Sequence, residues 1–394
     1  MVIFVLNNIN DYDKSRTRLI DSESQVAFDT YFKTRKSLQS PSNLSINMGG
    51  RMSYAATAQW WIEGQKLYTK SGFVENAKSF TSKIPQNLSG KSIAVTGANS
   101  GLGYAVSKEL ILRGAKVHML CRNRERGAKA METILTDNNG EGDVELHIVD
   151  VSDSTDIKRF ATEFSNAGTK LTTLINNAGV VPETRMETKD GNEVSFATMA
   201  GGSFLLTSLL LPILNKEEHS RVINVSSAGM YTTGLDISNI QCDQDKKYDG
   251  VFAYAHAKRA QVILTDMFQT KYNAKTTATD STAAKTTEGT GTTTFHSCHP
   301  GWSDTPGVRG PSMDWFNSRM EGNLRSPKEG ADTVLWLAVG DDAILDQTEV
   351  GGKFWFDRQV VREHMTMAWT REKEKDRVLL WNCLEEMFQY KSDL

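Results

Sequence analysis

Cysteine is scarce and scattered in this 394-residue chain. Cys121, Cys242, Cys298 and Cys383 stand far apart and form no C-x-x-C pair. That excludes a disulfide framework or a zinc ribbon as the organising principle and suits a reducing, cytoplasmic compartment. No His, Cys or Asp cluster has metal-ligand spacing, so no metal is expected. Basic charge is not in excess either: 45 Lys and Arg against 48 Asp and Glu leave a net charge of -3. A nucleic-acid binder needs the opposite balance to displace counterions, so nucleic acid is not an expected partner. The longest apolar run, Phe204 to Leu214, is too short to span a bilayer and contains Thr207, Ser208 and Pro212. The N-terminus lacks the basic region and longer apolar run of a secretory signal. With 39% hydrophobic and 24% charged residues, the chain can still bury a real core. Its length allows two to three domains at about 150 residues each, or one large α/β domain with extensions.

Three regions differ in composition. Residues 1–51 are polar and irregular and read as a loosely ordered extension. Residues 52–88 carry Trp60, Trp61, Leu67, Tyr68, Phe73, Val74 and Phe80 at helical spacing. Such a segment either covers a core or lies as an amphipathic helix on a membrane surface through residues 55–80. From residue 89 to 394, short apolar runs alternate with helical stretches, which implies a parallel sheet with helices on both faces. Residues 276–294 interrupt that pattern with 10 threonines and almost no large apolar side chain. They read as a flexible surface insertion before a strand at Thr294–Cys298. Arg371–Tyr390 reads as an amphipathic helix with Val378, Leu379, Trp381, Leu384 and Met387 on its apolar side.

The run Thr96-Gly97-Ala98-Asn99-Ser100-Gly101-Leu102-Gly103 follows an expected strand and opens an expected helix. Gly97 permits a sharp turn, Gly101 leaves bare backbone for a pyrophosphate, and Gly103 allows close helix–strand packing. The helix N-terminus adds unpaired N–H groups and a positive dipole end. With its G-x-x-x-G-x-G spacing this turn resembles that of the short-chain dehydrogenase/reductases. The resemblance implies that Thr96, Gly97, Asn99, Ser100, Gly101, Leu102 and Gly103 hold a dinucleotide. The next strand ends at Cys121-Arg122, where an NAD enzyme would place Asp or Glu for the ribose hydroxyls. Arg122 is either a solvated strand-end residue or a guanidinium for a 2′-phosphate; the missing acid favours NADP over NAD. Arg124 and Lys258 extend this basic locale. The resemblance further implies that Asp150 and Val151 meet the adenine, unless Asp150 merely caps a helix. It also implies that Asn176-Asn177-Ala178-Gly179 lets backbone lie against the ribose, through Asn177, Ala178 and Gly179.

Tyr254-Ala255-His256-Ala257-Lys258 places a phenol and an ammonium on one helix face. Lys258, together with a nicotinamide cation, is expected to pull the Tyr254 phenol below its usual pKa of about 10. In the family's order Tyr254 is the acid/base, Lys258 holds the nicotinamide ribose, and Ser227 holds the substrate oxygen, with Ser226 the near alternative. Pro300, Gly301 and Thr305 are implied at the carboxamide, while His256 and His299 read as structural. One departure stands out: the helix after Asn177 has Met199 where the family carries an asparagine.

The likeness spans residues 52–390, outside the threonine-rich insertion. Spacing from Ser227 to Tyr254 and the stretch His299–Val308 make it most similar to the retinol-dehydrogenase-like branch and the SDR family member 12 group. The implied fold is a Rossmann-type doubly wound α/β sheet of about seven parallel strands. The implied activity is NADP(H)-dependent hydride transfer to or from a small apolar carbonyl or alcohol, with Met230, Tyr231, Trp302, Trp315 and Phe316 at the substrate mouth. Met199 keeps open a catalytically impaired NADP-binding scaffold.

Overall fold

Strands form where the apolar runs end in glycine or polar turns, and helices where a cap residue precedes a 3.6-residue apolar period. The computed structural model describes residues 54–394 apart from 245–246, 281–290, 348 and 367. The extension expected at 1–51 lies outside the described residues.

Two helices come first, α1 (Tyr54–Leu67) and α2 (Lys70–Ala77), the second capped by Thr69. The alternating core then runs β1 (Ser92–Thr96), α3 (Gly101–Leu112), β2 (Lys116–Cys121), α4 (Arg124–Asp137), β3 (Val144–Ile148), α5 (Ser154–Asn166) and β4 (Thr173–Asn176). It continues with α6 (Val194–Leu214), β5 (His219–Val225), α7 (Gly250–Asp280), β6 (Thr292–Cys298), α8 (Pro327–Val339), β7 (Phe354–Phe356), β8 (Gln359–Val360) and α9 (Glu374–Met387). Side-chain caps fix the starts of α4 at Asn123 and α5 at Asp153, and a Ser326–Glu329 capping box with Pro327 starts α8.

The strands order as β3-β2-β1-β4-β5-β6-β7-β8, parallel throughout except for the antiparallel β7–β8 pair. The expected doubly wound sheet therefore gains an eighth, two-residue strand. Pleating sends Ala94, Leu174, Val222 and Phe295 to one face, under α5, α6, α7 and α9. Ile93, Val95, Ile175 and Ile223 go to the other, under α3, α4 and α8. Helix α6 is long and apolar enough to cross a membrane, yet its apolar window is 89% buried between sheet and neighbouring helices.

Three boundaries depart from the sequence expectations. Helix α7 continues through Asp280 and β6 begins at Thr292, so the threonine-rich insertion is shorter than 276–294; its middle, 281–290, is outside the described residues. The β-branched Thr292, Thr293 and Thr294 pair with His219, Ser220 and Arg221, because threonine suits a pleated, half-buried surface as well as it suits a loop. In α9, Trp381 and Leu384 are buried as expected, but Val378 and Leu379 are each 48% exposed and Leu380 takes the core position.

The segment ahead of the sheet is built into the fold. Trp60 donates Nε1–H to the Ala228 carbonyl at 2.9 Å, and Trp61 lies 5.4 Å from the Trp302 ring. Arg325, 1% exposed, donates both terminal nitrogens to Asp357, at 2.6 and 2.8 Å. The same guanidinium donates to the Leu67 and Thr69 carbonyls, while Asn76 donates to Asp357. One buried ion pair thus joins the end of α1 and the start of α2 to the β7–β8 turn.

Candidate functional site

The cleft opens at the carboxyl ends of the strands, where the order reverses between β1 and β4. It encloses about 410 Å³. Its floor is the glycine turn. Gly97 has φ +65° and Gly101 φ +54°, conformations that a Cβ would strain. A Cβ on Gly97 would sit 3.1 Å from Ala178 Cα, and one on Gly101 3.2 Å from Pro306 Cδ. The cradle is therefore one that side chains would fill. Ser100 stands at the N-cap of α3, lines the cleft, and its side chain caps none of the leading N–H groups.

Gly97, Asn99, Ser100, Gly101, Leu102, Arg122, Asp150, Val151, Asn177, Ala178 and Gly179 all line this space. Pro300, Gly301, Thr305, Ser227, Tyr254 and Lys258 line its other half. Two expected site residues do not. Thr96 Oγ1 accepts from the Asn177 and Ala178 amides, both at 2.9 Å, pinning the ribose-side loop to β1. Gly103 packs α3 so closely on the turn that a Cβ would lie 2.4 Å from the Gly97 carbonyl oxygen. Both shape the cleft from behind.

At the end expected to hold the adenosine, Cys121 is buried, its thiol pushed up to about 11 by burial, so it is neutral where an NAD enzyme would place an acid. Arg122 is exposed and lies 3.8 Å from Asp150 Oδ2. The second arginine on the cleft is Arg126, one turn along α4; Arg124, singled out from sequence, is not among the lining residues. Arg126 follows from helix periodicity only once the helix start at Asn123 is known. Asp150 is not a helix cap, a role that falls to Asp153; it accepts from the Ser152 amide and hydroxyl.

At the end expected to be catalytic, Ser227 caps a short 3-10 turn, Ala228–Thr232, and its Oγ accepts from the Gly229 amide at 3.0 Å. A Cβ on Gly229 would lie 3.3 Å from Ser227 Oγ and 3.9 Å from Tyr254 Cε1, so the two side chains share one small space. Ser226, the near alternative, has its hydroxyl committed to the Lys258 carbonyl at 2.8 Å. Lys258 is buried, with Nζ 5.7 Å from the Tyr254 ring centroid, donating to Val225 O at 2.6 Å and Gln261 Oε1 at 2.8 Å.

Lys258 by itself does not give the lowered phenol expected of it together with a nicotinamide cation. Burial raises the Tyr254 phenol above its usual value, and only the Ser227 hydroxyl opposes it. Burial likewise lowers the Lys258 ammonium to about 7. The ammonium is turned toward Val225 and Gln261, so desolvation of the phenolate outweighs its pull.

His256 and His299 are scaffold. The first accepts from the Asp236 amide, stacks at 5° on Phe252 and is driven to about 4 by burial. The second lies flat on Phe356 at 4.1 Å and accepts from Gly301 N. Strand pairing also gathers His118, Glu145 and His147, a grouping that linear spacing concealed. His118 Nδ1 and His147 Nε2 are hydrogen-bonded at 3.1 Å, and Lys116 occupies one Glu145 oxygen at 2.6 Å. Trp60 from α1 was not foreseen in the cleft either; it closes the mouth beside Trp302, Trp315, Phe316 and Val308.

Known proteins resemble this chain in sequence and fold. The family model for short chain dehydrogenases matches residues 91–294. Human dehydrogenase/reductase SDR family member 12 is 36% identical over 342 residues, covering 86% of this chain and 99% of its own. Human retinol dehydrogenase 11 is 35% identical over 253 residues, covering 64% of this chain and 74% of its own. A crystal structure of an uncharacterised protein from Mycobacterium paratuberculosis superposes with a TM-score of 0.59 at 25% identity, covering 78% of this chain and 97% of that one.

Proposed function

The chain belongs to the short-chain dehydrogenase/reductase family, and from that premise we propose that it is an NADP(H)-dependent oxidoreductase acting on a small apolar carbonyl or alcohol. The observation that carries the reading is the meeting of Ser227, Tyr254 and Lys258 at one end of a cleft floored by bare glycine backbone. The residues present fit a dinucleotide. The α3 N-terminus and Gly97–Gly101 would take the pyrophosphate, Asp150 and Val151 the adenine, Asn177–Gly179 the adjoining ribose, and Pro300, Gly301 and Thr305 the carboxamide. When bound, the nicotinamide supplies the hydride donor or acceptor.

The chain's own groups handle the proton and the oxygen. Ser227 Oγ donates to the carbonyl oxygen, Tyr254 delivers its proton as that oxygen gains charge, and Lys258 fixes the ribose side. Trp60, Trp302, Trp315 and Phe316 give the mouth an aromatic lining that favours an apolar substrate and excludes water. Human retinol dehydrogenase 11, by its name, acts on such an alcohol, which supports this class. A surface role for residues 55–80 has less support, because Trp60 and Trp61 are engaged with Ala228 and Trp302.

The decisive experiment is an assay of NADPH and NADH side by side against a panel of aldehydes, ketones and alcohols. Tight NADPH binding with no turnover on any of them, unchanged by Tyr254→Phe, would favour a binding scaffold instead. Cofactor choice has its own test. Replacing both Arg122 and Arg126 with alanine should weaken NADPH by about 10-fold or more, the worth of charge-assisted bonds to a phosphate, and leave NADH little changed. Equal losses for both cofactors would remove the 2′-phosphate assignment.

A further inference from the structure

Met199 sits beside Lys258. It is fully buried in a π turn, Ala197–Gly201, within α6. A Cβ on Gly179 would fall 3.3 Å from Met199 Sδ and 3.6 Å from Lys258 Nζ, so thioether and ammonium flank the same point. A thioether is a weak acceptor and donates nothing, and a buried cation left to it would be poorly compensated.

The ammonium is satisfied from elsewhere. Besides Val225 O it reaches Gln261 Oε1 at 2.8 Å, and Gln261 is 0% exposed, one turn further along α7. The Gln261 amide nitrogen donates in turn to Ser203 Oγ at 2.8 Å, across on α6 and four residues after Met199. The orientation of the amide is forced: an ammonium only donates, so the oxygen must face Lys258 and the NH₂ must face Ser203. A glutamine in the middle of an apolar helix interface is costly unless both ends are bonded, and here both are. The titratable neighbours of the ammonium are Tyr254 on α7 and Cys298 on β6. Burial raises both of these groups, so each is neutral near pH 7 and neither supplies a countercharge.

We propose that Gln261, oriented by Ser203, is the positioning residue that aims and stabilises the Lys258 ammonium, a bond that the neighbouring Met199 thioether does not supply. Its catalytic consequence rests on the oxidoreductase reading; its geometric content does not. The test is a titration of Lys258 in the full-length chain by NMR with 13Cε-labelled lysine, the signal assigned by its loss in Lys258→Met. Wild type should titrate near 7. Gln261→Met removes an acceptor from the charged form, so the midpoint should fall by about one pH unit. Gln261→Glu adds an opposite charge and should raise it. Ser203→Ala should move it in the same direction as Gln261→Met but less, and it decides the matter if the methionine variant does not fold. An unmoved midpoint overturns the proposal, whether or not the protein turns over a substrate. Where turnover is measured, Gln261→Met should lower kcat near pH 7 by about 5-fold with KM for the substrate little changed, following the lost ammonium. Wild type that titrates as described but oxidises no NADPH with any substrate would instead fail the oxidoreductase reading alone.

Discussion

Tyr254→Phe should lower kcat by about 10²–10⁴-fold, the usual share of a positioned general acid or base, while NADPH binding persists. The substitution removes one oxygen from a half-buried ring whose carbon skeleton stays in contact with Gly229 and α7, so thermal stability should hardly change. Tight cofactor binding with full turnover in the variant would remove Tyr254 from the chemistry. The raised phenol adds a pH signature. Carbonyl reduction needs the protonated phenol, which burial favours, so the fall in reduction rate through neutral pH should follow the Lys258 ammonium and not the phenol. Alcohol oxidation needs the phenolate and the same ammonium, so the ratio of oxidation to reduction should climb as pH rises into the alkaline range. A ratio already level at neutral pH would mean that Lys258, or a bound cofactor's charge, lowers the phenol after all.

Arg325→Met should cost about 3–5 kcal/mol, because it leaves the Asp357 carboxylate buried without its partner. Asp357 is 3% exposed and, among the described residues, would keep the Asn76 amide as its side-chain donor. The variant also frees the Leu67 and Thr69 carbonyls, so the loss should appear first as detachment of α1 and α2. Differential scanning fluorimetry at a fixed scan rate should show a Tm lower by several degrees. Limited proteolysis should cut ahead of residue 92 before cutting the sheet. Arg325→Lys should fall between, since it keeps the charge and loses the fork. An unchanged Tm in Arg325→Met would show that the helices dock on their aromatic contacts alone.

The alternating core was legible in the sequence because its signals are local. Apolar runs such as Ser92–Thr96 ended at glycine turns, and the order from the glycine turn through Asn177 and Ser227 to Tyr254 ran in step with the strands. What remained hidden depends on contacts across the chain. Arg126 reaches the cleft only because Asn123 sets the phase of α4. Trp60 is a wall of the cleft because α1 folds back over a loop 168 residues later. The direction of the Lys258 ammonium, which reverses the expected shift of Tyr254, is set by Gln261 and Val225, and no spacing rule connects those residues. The threonines at 292–294 misled because composition is silent about an unfilled edge of β5 that can pair them.

The stitch at Arg325 also fixes an order of events during synthesis. The carbonyls of Leu67 and Thr69 meet a guanidinium 258 and 256 residues further along. At about 5–20 residues per second, that interval is on the order of ten to fifty seconds of translation. For most of it Trp60 and Trp61 are already made and Trp302, their seat, is not. A nascent chain in this state presents an aromatic helix to chaperones and to other nascent chains. Slowing or truncating translation between residues 80 and 325 should therefore lengthen that exposure and favour aggregation, even where the finished protein is stable.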